Sequence, residues 1–131
     1  MKEVICSLLA VLGLAACQGD ETLAGYVMPD TTFVLQRMGG EAVKARATIR
    51  FLPGGEVVGK AACNSYGAAQ SAPYPWFELG PIRATRAACP QLDEEQAYFD
   101  ALGQMTLAEI SGDVLILSNE DGGMLEFRAM P

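Results

Sequence analysis

Arg46-Ala47-Thr48-Ile49-Arg50-Phe51 alternates without error between polar and apolar side chains. A period of two sets Ala47, Ile49 and Phe51 on the inner face of a strand and Arg46, Thr48 and Arg50 on the outer one. Pro53-Gly54-Gly55 then supplies turn chemistry, and Glu56-Val57-Val58-Gly59-Lys60 returns as the second arm of a hairpin. Working outward, Phe33 and Leu35 alternate with Thr32, Val34 and Gln36. Leu107–Ile110 and Val114–Ser118 flank the turn Ser111-Gly112-Asp113, and Asn119–Gly123 turns the chain into Met124–Arg128. Short strands separated by glycine-rich turns predict a small antiparallel sheet closing toward a barrel. Phe33, Ile49, Phe51, Leu115, Leu117 and Phe127 point inward, which predicts a filled interior.

One segment departs from this period. Pro90–Leu102 opens with proline, where a missing N–H does no harm, and continues with Asp93, Glu94 and Glu95. Acidic side chains in a first turn match the positive end of a helix dipole. Leu92, Phe99 and Leu102 share one face, with Tyr98, Ala101 and Met105 beside it, so the expectation is one amphipathic helix in a mainly β domain. The stretch from Cys63 to Thr85 is the least periodic. Pro73, Pro75 and Pro81 confine any strand there to an edge or an end.

A chain of 131 residues is the length of one domain, and 50% hydrophobic residues are enough for a core. Sixteen acidic against nine basic residues give a net charge of −7, unsuited to nucleic acid. There is no histidine. That excludes Ser-His-Asp and Cys-His catalysis and histidine-ligated zinc, and no cofactor or metal is expected.

The N-terminus carries an address. Val4 to Ala15 is apolar almost throughout but shorter than the roughly 20 residues of a membrane span, which predicts a signal peptide over residues 1–16. Leu14-Ala15-Ala16-Cys17 resembles the lipobox of bacterial lipoproteins, in which the cysteine is acylated and becomes the first mature residue. Gln18 in the second mature position, where aspartate would favour retention, implies an outer-membrane anchor facing the periplasm. Residues 17–30 are expected to be a lipidated tether adding little core, and residues 31–131 the domain. With Cys6 removed and Cys17 acylated, Cys63 and Cys89 remain. In an oxidising compartment they are expected to bridge, stabilising the fold by roughly 3–4 kcal/mol on the chain-entropy account.

Several segments resemble one known family. Gly59-Lys60-Ala61-Ala62-Cys63-Asn64-Ser65-Tyr66 is similar to its strand-to-loop motif around Cys-Asn. Glu78-Leu79-Gly80-Pro81-Ile82-Arg83-Ala84-Thr85-Arg86-Ala87-Ala88-Cys89 is similar to its segment ending in Ala-Cys. Glu95 with Phe99, Ala101 and Leu102 resembles its helix, and Val114–Leu117 followed by Leu125-Glu126-Phe127 its last strands. The family is the META domain, including the HslJ-like heat-inducible envelope proteins, and the resemblance runs from Thr32 to Arg128. Phe33-Val34-Leu35 stands for the family's opening Trp-x-Leu, Ala62 for a frequent glycine, and Ala87 and Leu92 for usual methionines. The resemblance implies a barrel-like fold with one helix and an exported location. It implies no enzymatic activity.

Three positions stand out as possible sites. Asn64 and Thr85, each close to a bridge cysteine, would either line a groove or bond loop backbone in place of water, and the second is the expectation. Trp76, beside Tyr74 and Phe77 in a proline-rich loop, would either dock a partner or plug one end of the barrel, and again the second is expected. Asp93, Glu94, Glu95 and Asp100 suit the helix dipole better than a glycosidase-like carboxylate pair. Asp121-Gly122-Gly123 is a turn without the spacing of a calcium loop. The sequence thus reads as a non-enzymatic, monomeric outer-membrane lipoprotein, an envelope-stress or protein-interaction module with an unidentified envelope partner. The alternatives are a carrier using the barrel interior and, behind it, a carboxylate-based hydrolase.

Overall fold

The hairpin centred on Pro53-Gly54-Gly55 is present in the computed structural model, which describes residues 19–131. The signal peptide and Cys17 lie outside the described residues. Strand β3 (Thr48–Leu52) pairs antiparallel with β4 (Glu56–Lys60), setting Phe51 opposite Val57 and Arg50 opposite Val58. Gly55 turns the corner at φ +83°, and a Cβ there would meet the Gln70 carbonyl oxygen at 2.8 Å, so no other residue fits.

Before this hairpin come β1 (Phe33–Met38) and β2 (Glu41–Ala42). After it come β5 (Ser65–Ala69), β6 (Arg83–Ala84), the helix α1 (Leu92–Gln104), β7 (Leu107–Ser111), β8 (Val114–Ser118) and β9 (Met124–Ala129). All pairs are antiparallel, in the order β6-β5-β4-β3-β1-β9-β8-β7, with the short β2 beside β1. Strand pairing does not close this sheet. Residues 70–80 span the gap instead: Gly80 N–H donates to the Ala69 carbonyl at 2.9 Å on one side, and Phe77 N–H to Thr106 and Ala108 N–H to Pro75 on the other. The mainly β, one-helix, barrel-like architecture is as read from the sequence.

The curled sheet encloses its own core. Phe33, Leu35, Ile49, Phe51, Leu115, Leu117, Leu125 and Phe127 are all buried, with Tyr98 and Leu102 of the helix packed onto them. These buried side chains occupy the interior, in keeping with the expected filled core.

Four details differ from the sequence reading. The first concerns the segment before Thr31. Leu23, in the 3-10 turn Leu23–Tyr26, is wholly buried, and Tyr74 N–H donates to the Glu21 carbonyl at 2.8 Å. The packed domain therefore begins ahead of residue 31, because Leu23 enters the core and Ala24 and Val27 pack against it. The second is the plug of the loop, which is Phe77 at 2% exposure, whereas Trp76 is 58% exposed. Adjacent residues in extended backbone point to opposite sides, and Phe77 takes the inner one. Third, Leu92 is 44% exposed at the first helical turn, while Glu95, Tyr98 and Leu102 form the buried stripe. Finally, Thr48 is buried although its alternation points outward. The Tyr66 hydroxyl donates to its carbonyl at 2.8 Å, and its Oγ1 accepts from Lys60 N–H at 3.0 Å.

Candidate functional site

Asn64 sits in the tight loop between β4 and β5, where Ala61 N–H donates to the Asn64 carbonyl at 2.8 Å. Its amide nitrogen donates to the Ala87 carbonyl (3.0 Å) and to Glu95 Oε2 (2.6 Å). Its Oδ1 accepts from Thr85 Oγ1 (2.9 Å) and from Ala87 N–H (2.6 Å). An asparagine side chain offers two donors and two lone pairs, and all four are used. Thr85, exposed on the rim, also accepts from Ser65 N–H at 3.2 Å. Both residues bond loop backbone.

Glu95 does more than suit the helix dipole. It is only 4% exposed, and its Oε1 accepts from the backbone N–H groups of Cys63 (3.0 Å) and Asn64 (2.8 Å). The disulfide Cys63–Cys89, with Cα atoms 5.6 Å apart across 26 positions, fastens the same loop to the segment entering α1. Covalent bridge, amide and carboxylate thus form one knot. Glu41 and Glu94 join Glu95 in lining a pocket of about 180 Å³ at the barrel mouth, where Leu35, Met38 and Tyr98 supply an apolar floor. Among the described residues no cluster of acidic or cysteine side chains is arranged to hold a metal ion.

Next to the knot, Gly59 permits a close approach. A Cβ there would meet the Thr48 carbonyl oxygen and, at 2.8 Å, the Tyr66 ring. The Tyr66 hydroxyl therefore reaches the Thr48 carbonyl from β5 and meets the Tyr98 hydroxyl of α1 at 2.6 Å. Because Tyr66 gives its proton to Thr48, Tyr98 is the donor to Tyr66. Burial pushes both phenols well above the ordinary tyrosine range.

A groove of about 920 Å³ opens on the outer side of β3 and β4, over this tyrosine. Lys44, Arg46, Arg50 and Lys60 line it together with Val58 and Tyr66, and its lining contains no Asp or Glu. Four of the nine basic residues of an acidic protein thus share one concavity. Arg50 is also 3.3 Å from Asp30, an exposed and hence weak pair. By alternation alone, Arg46 and Arg50 are simply outward-facing residues. The available signal was the local charge balance, since residues 44–60 hold four cations against the single acid Glu56. Trp76 lines neither the groove nor the knot.

The model of the META domain matches residues 24–130. This chain belongs to the META domain family. The match begins one residue after the buried Leu23, in keeping with where packing starts. Among solved structures, a protein from Burkholderia xenovorans determined by NMR is 21% identical, with a TM-score of 0.62 over 99% of this chain and 95% of that one. A second NMR structure is 20% identical, with a TM-score of 0.59 over 75% and 87% of the two chains. A DUF4847-family protein from Bacteroides vulgatus is 15% identical, with a TM-score of 0.54; the match covers 63% of the META chain and 57% of that protein's length. Likeness at these identities shows the fold alone. No curated protein is significantly similar in sequence.

Proposed function

We propose that this META domain is a non-enzymatic binding module, anchored by lipid on Cys17 to the outer membrane and facing the periplasm, whose groove receives an anionic group of an envelope ligand or partner. The observation that carries the reading is the collection of Lys44, Arg46, Arg50 and Lys60 around one groove whose own lining holds no Asp or Glu, in a chain of net charge −7. Asp30 reaches Arg50 from outside it, and Lys44 and Arg46 also border the neighbouring pocket of Glu41, Glu94 and Glu95. Like charges crowded into one concavity repel one another, and a bound anion relieves that repulsion. Guanidinium groups pair with phosphate or carboxylate oxygens in a two-pronged geometry, and lysines add point charge. The acidic remainder of the surface repels long polyanions, so the fitting ligand is compact. A binding role also suits the knot, whose polar groups are engaged with one another and leave no acid or base for turnover.

Inorganic pyrophosphate serves as the probe. Titrated into the protein at low salt, it should shift the side-chain Nε–H resonances of Arg46 and Arg50 saturably. The double substitution K44Q/K60Q should weaken binding about tenfold or more, whereas R86Q, outside the groove, should not. Absence of saturation, or equal weakening by R86Q, would refute the groove as a binding site.

A further inference from the structure

Five large apolar side chains are exposed among the described residues, and three of them, Tyr26, Met28 and Trp76, lie on two segments that are bound to each other. Thr22 forms a bridge with Pro73, Tyr74 N–H donates to the Glu21 carbonyl at 2.8 Å, and the Tyr26 and Tyr74 rings stack with centroids 4.4 Å apart. Both segments have firm backing. Leu23 and Phe77 are buried directly behind them, and Trp76 itself bridges to Leu107 of β7. The rings are therefore presented by ordered backbone at a fixed place on the barrel.

We infer that this face lies against the lipid bilayer, with Trp76 and Tyr26 at headgroup depth. The inference rests on the reading of Cys17 as the lipidated residue. From Cys17 to Glu21, where the chain is first fastened to the 73–76 loop, there are four residues, which reach at most about 14 Å when fully extended. An anchor on so short a lead brings this face, and not the opposite end of the barrel, to the membrane. The residue types suit the place, since Trp and Tyr combine an apolar body with a polar edge and favour the membrane–water interface. Added apolar contact also strengthens a lipid anchor. Asp20, Glu21 and Glu78 adjoin the patch in sequence, so a zwitterionic lipid surface fits better than an anionic one.

Trp76 is the only tryptophan of the chain, so its fluorescence reports on this face alone. The full lipidated protein would be placed in phosphatidylethanolamine vesicles with and without phospholipid brominated high on its acyl chains. The N-terminal mass would be measured on the same sample. Trp76 emission should be blue-shifted, and about half or more of it should be lost to the brominated lipid, as for a ring at interfacial depth. M28S, a change at a side chain 79% exposed, should reduce the quenching while leaving far-ultraviolet circular dichroism unchanged. If the mass shows lipid on Cys17 and Trp76 is neither shifted nor quenched, the apposed face is refuted while the anchor stands. A blue shift without quenching, accompanied by a dimer mass, would mean that a second copy covers the face, and also refutes it. An unmodified Cys17 removes the anchor and this inference together.

Discussion

Three N–H groups converge on the carboxylate of Glu95: the backbones of Cys63 and Asn64, and the Asn64 side chain. Hydrogen bonds to a carboxylate are stronger than neutral ones, and the first turn of α1 adds the favourable end of the helix dipole. Removing the acceptor leaves buried donors without water. Glu95→Ala is therefore expected to lower stability by about 3 kcal/mol or more, and Asn64→Ala by about 2–3 kcal/mol. Thr85→Ala, at an exposed position, should cost nearer 1 kcal/mol. Urea unfolding of the oxidised proteins measures all three, and a Glu95→Ala midpoint equal to that of the parent would refute the knot's role. The sequence makes Asn64 and Thr85 visible, because small polar residues beside a bridge cysteine have few other uses. It hides Glu95. An acid in a first helical turn is already accounted for by the dipole, and only its spacing with Tyr98 and Leu102 on one stripe hints at burial.

Hairpins bounded by turn chemistry are the elements that the sequence displays best: the β3–β4 and β7–β8 hairpins pair where the turns place them. In β3 the inward residues follow from the local period alone, whereas β8, with four apolar residues in a row from Val114, takes its place from the turns that flank it. Segment 70–80 is illegible for a matching reason. Pro73 and Pro75 lack N–H donors, and the segment is held by isolated bridges, one within itself (Gln70 with Leu79) and two to residues remote in sequence (Pro73 with Thr22 and Trp76 with Leu107). Which of two neighbouring aromatics turns inward depends on those bridges. The structure assigns the buried role to Phe77, so Phe77→Ala should destabilise by about 3–5 kcal/mol through the cavity it leaves. Trp76→Ala, at a solvent-exposed ring, should stay within about 0.5 kcal/mol in the soluble protein. Thermal melts followed by circular dichroism discriminate these outcomes, and comparable losses for both would mean that the loop packs differently. The helix shows the complementary lesson. Its existence was legible from period and charge, but its rotation was displaced enough to expose Leu92 and bury Glu95.

At the scale of the whole molecule, β3, β5 and α1 meet at one pair of phenols. Tyr98 donates to Tyr66, Tyr66 donates to the Thr48 carbonyl, and their rings pack edge to face with centroids 5.8 Å apart. Desolvation by burial is the largest cause holding both hydroxyls neutral, and it raises both above the ordinary value of 10.0. In the unfolded chain each titrates near that ordinary value, at about pH 10. Below that pH both states keep their protons, and the contribution of the pair to stability is complete. Above it the unfolded chain releases protons that the folded chain retains, so unfolding is favoured progressively. The slope should approach about 1.4 kcal/mol per pH unit for each tyrosine, continuing until the raised folded-state values are reached. The domain is thus expected to lose stability steeply on the alkaline side, beginning near pH 10, through phenols that no surface residue can substitute. Tyr98→Phe keeps the ring and removes one titrating group, so it should be less stable at neutral pH yet show about half the pair's alkaline slope. Urea midpoints taken at intervals from pH 8 to about pH 11.5 measure that slope. Parallel curves for the parent and Tyr98→Phe would show that the alkaline limit lies elsewhere than in this pair.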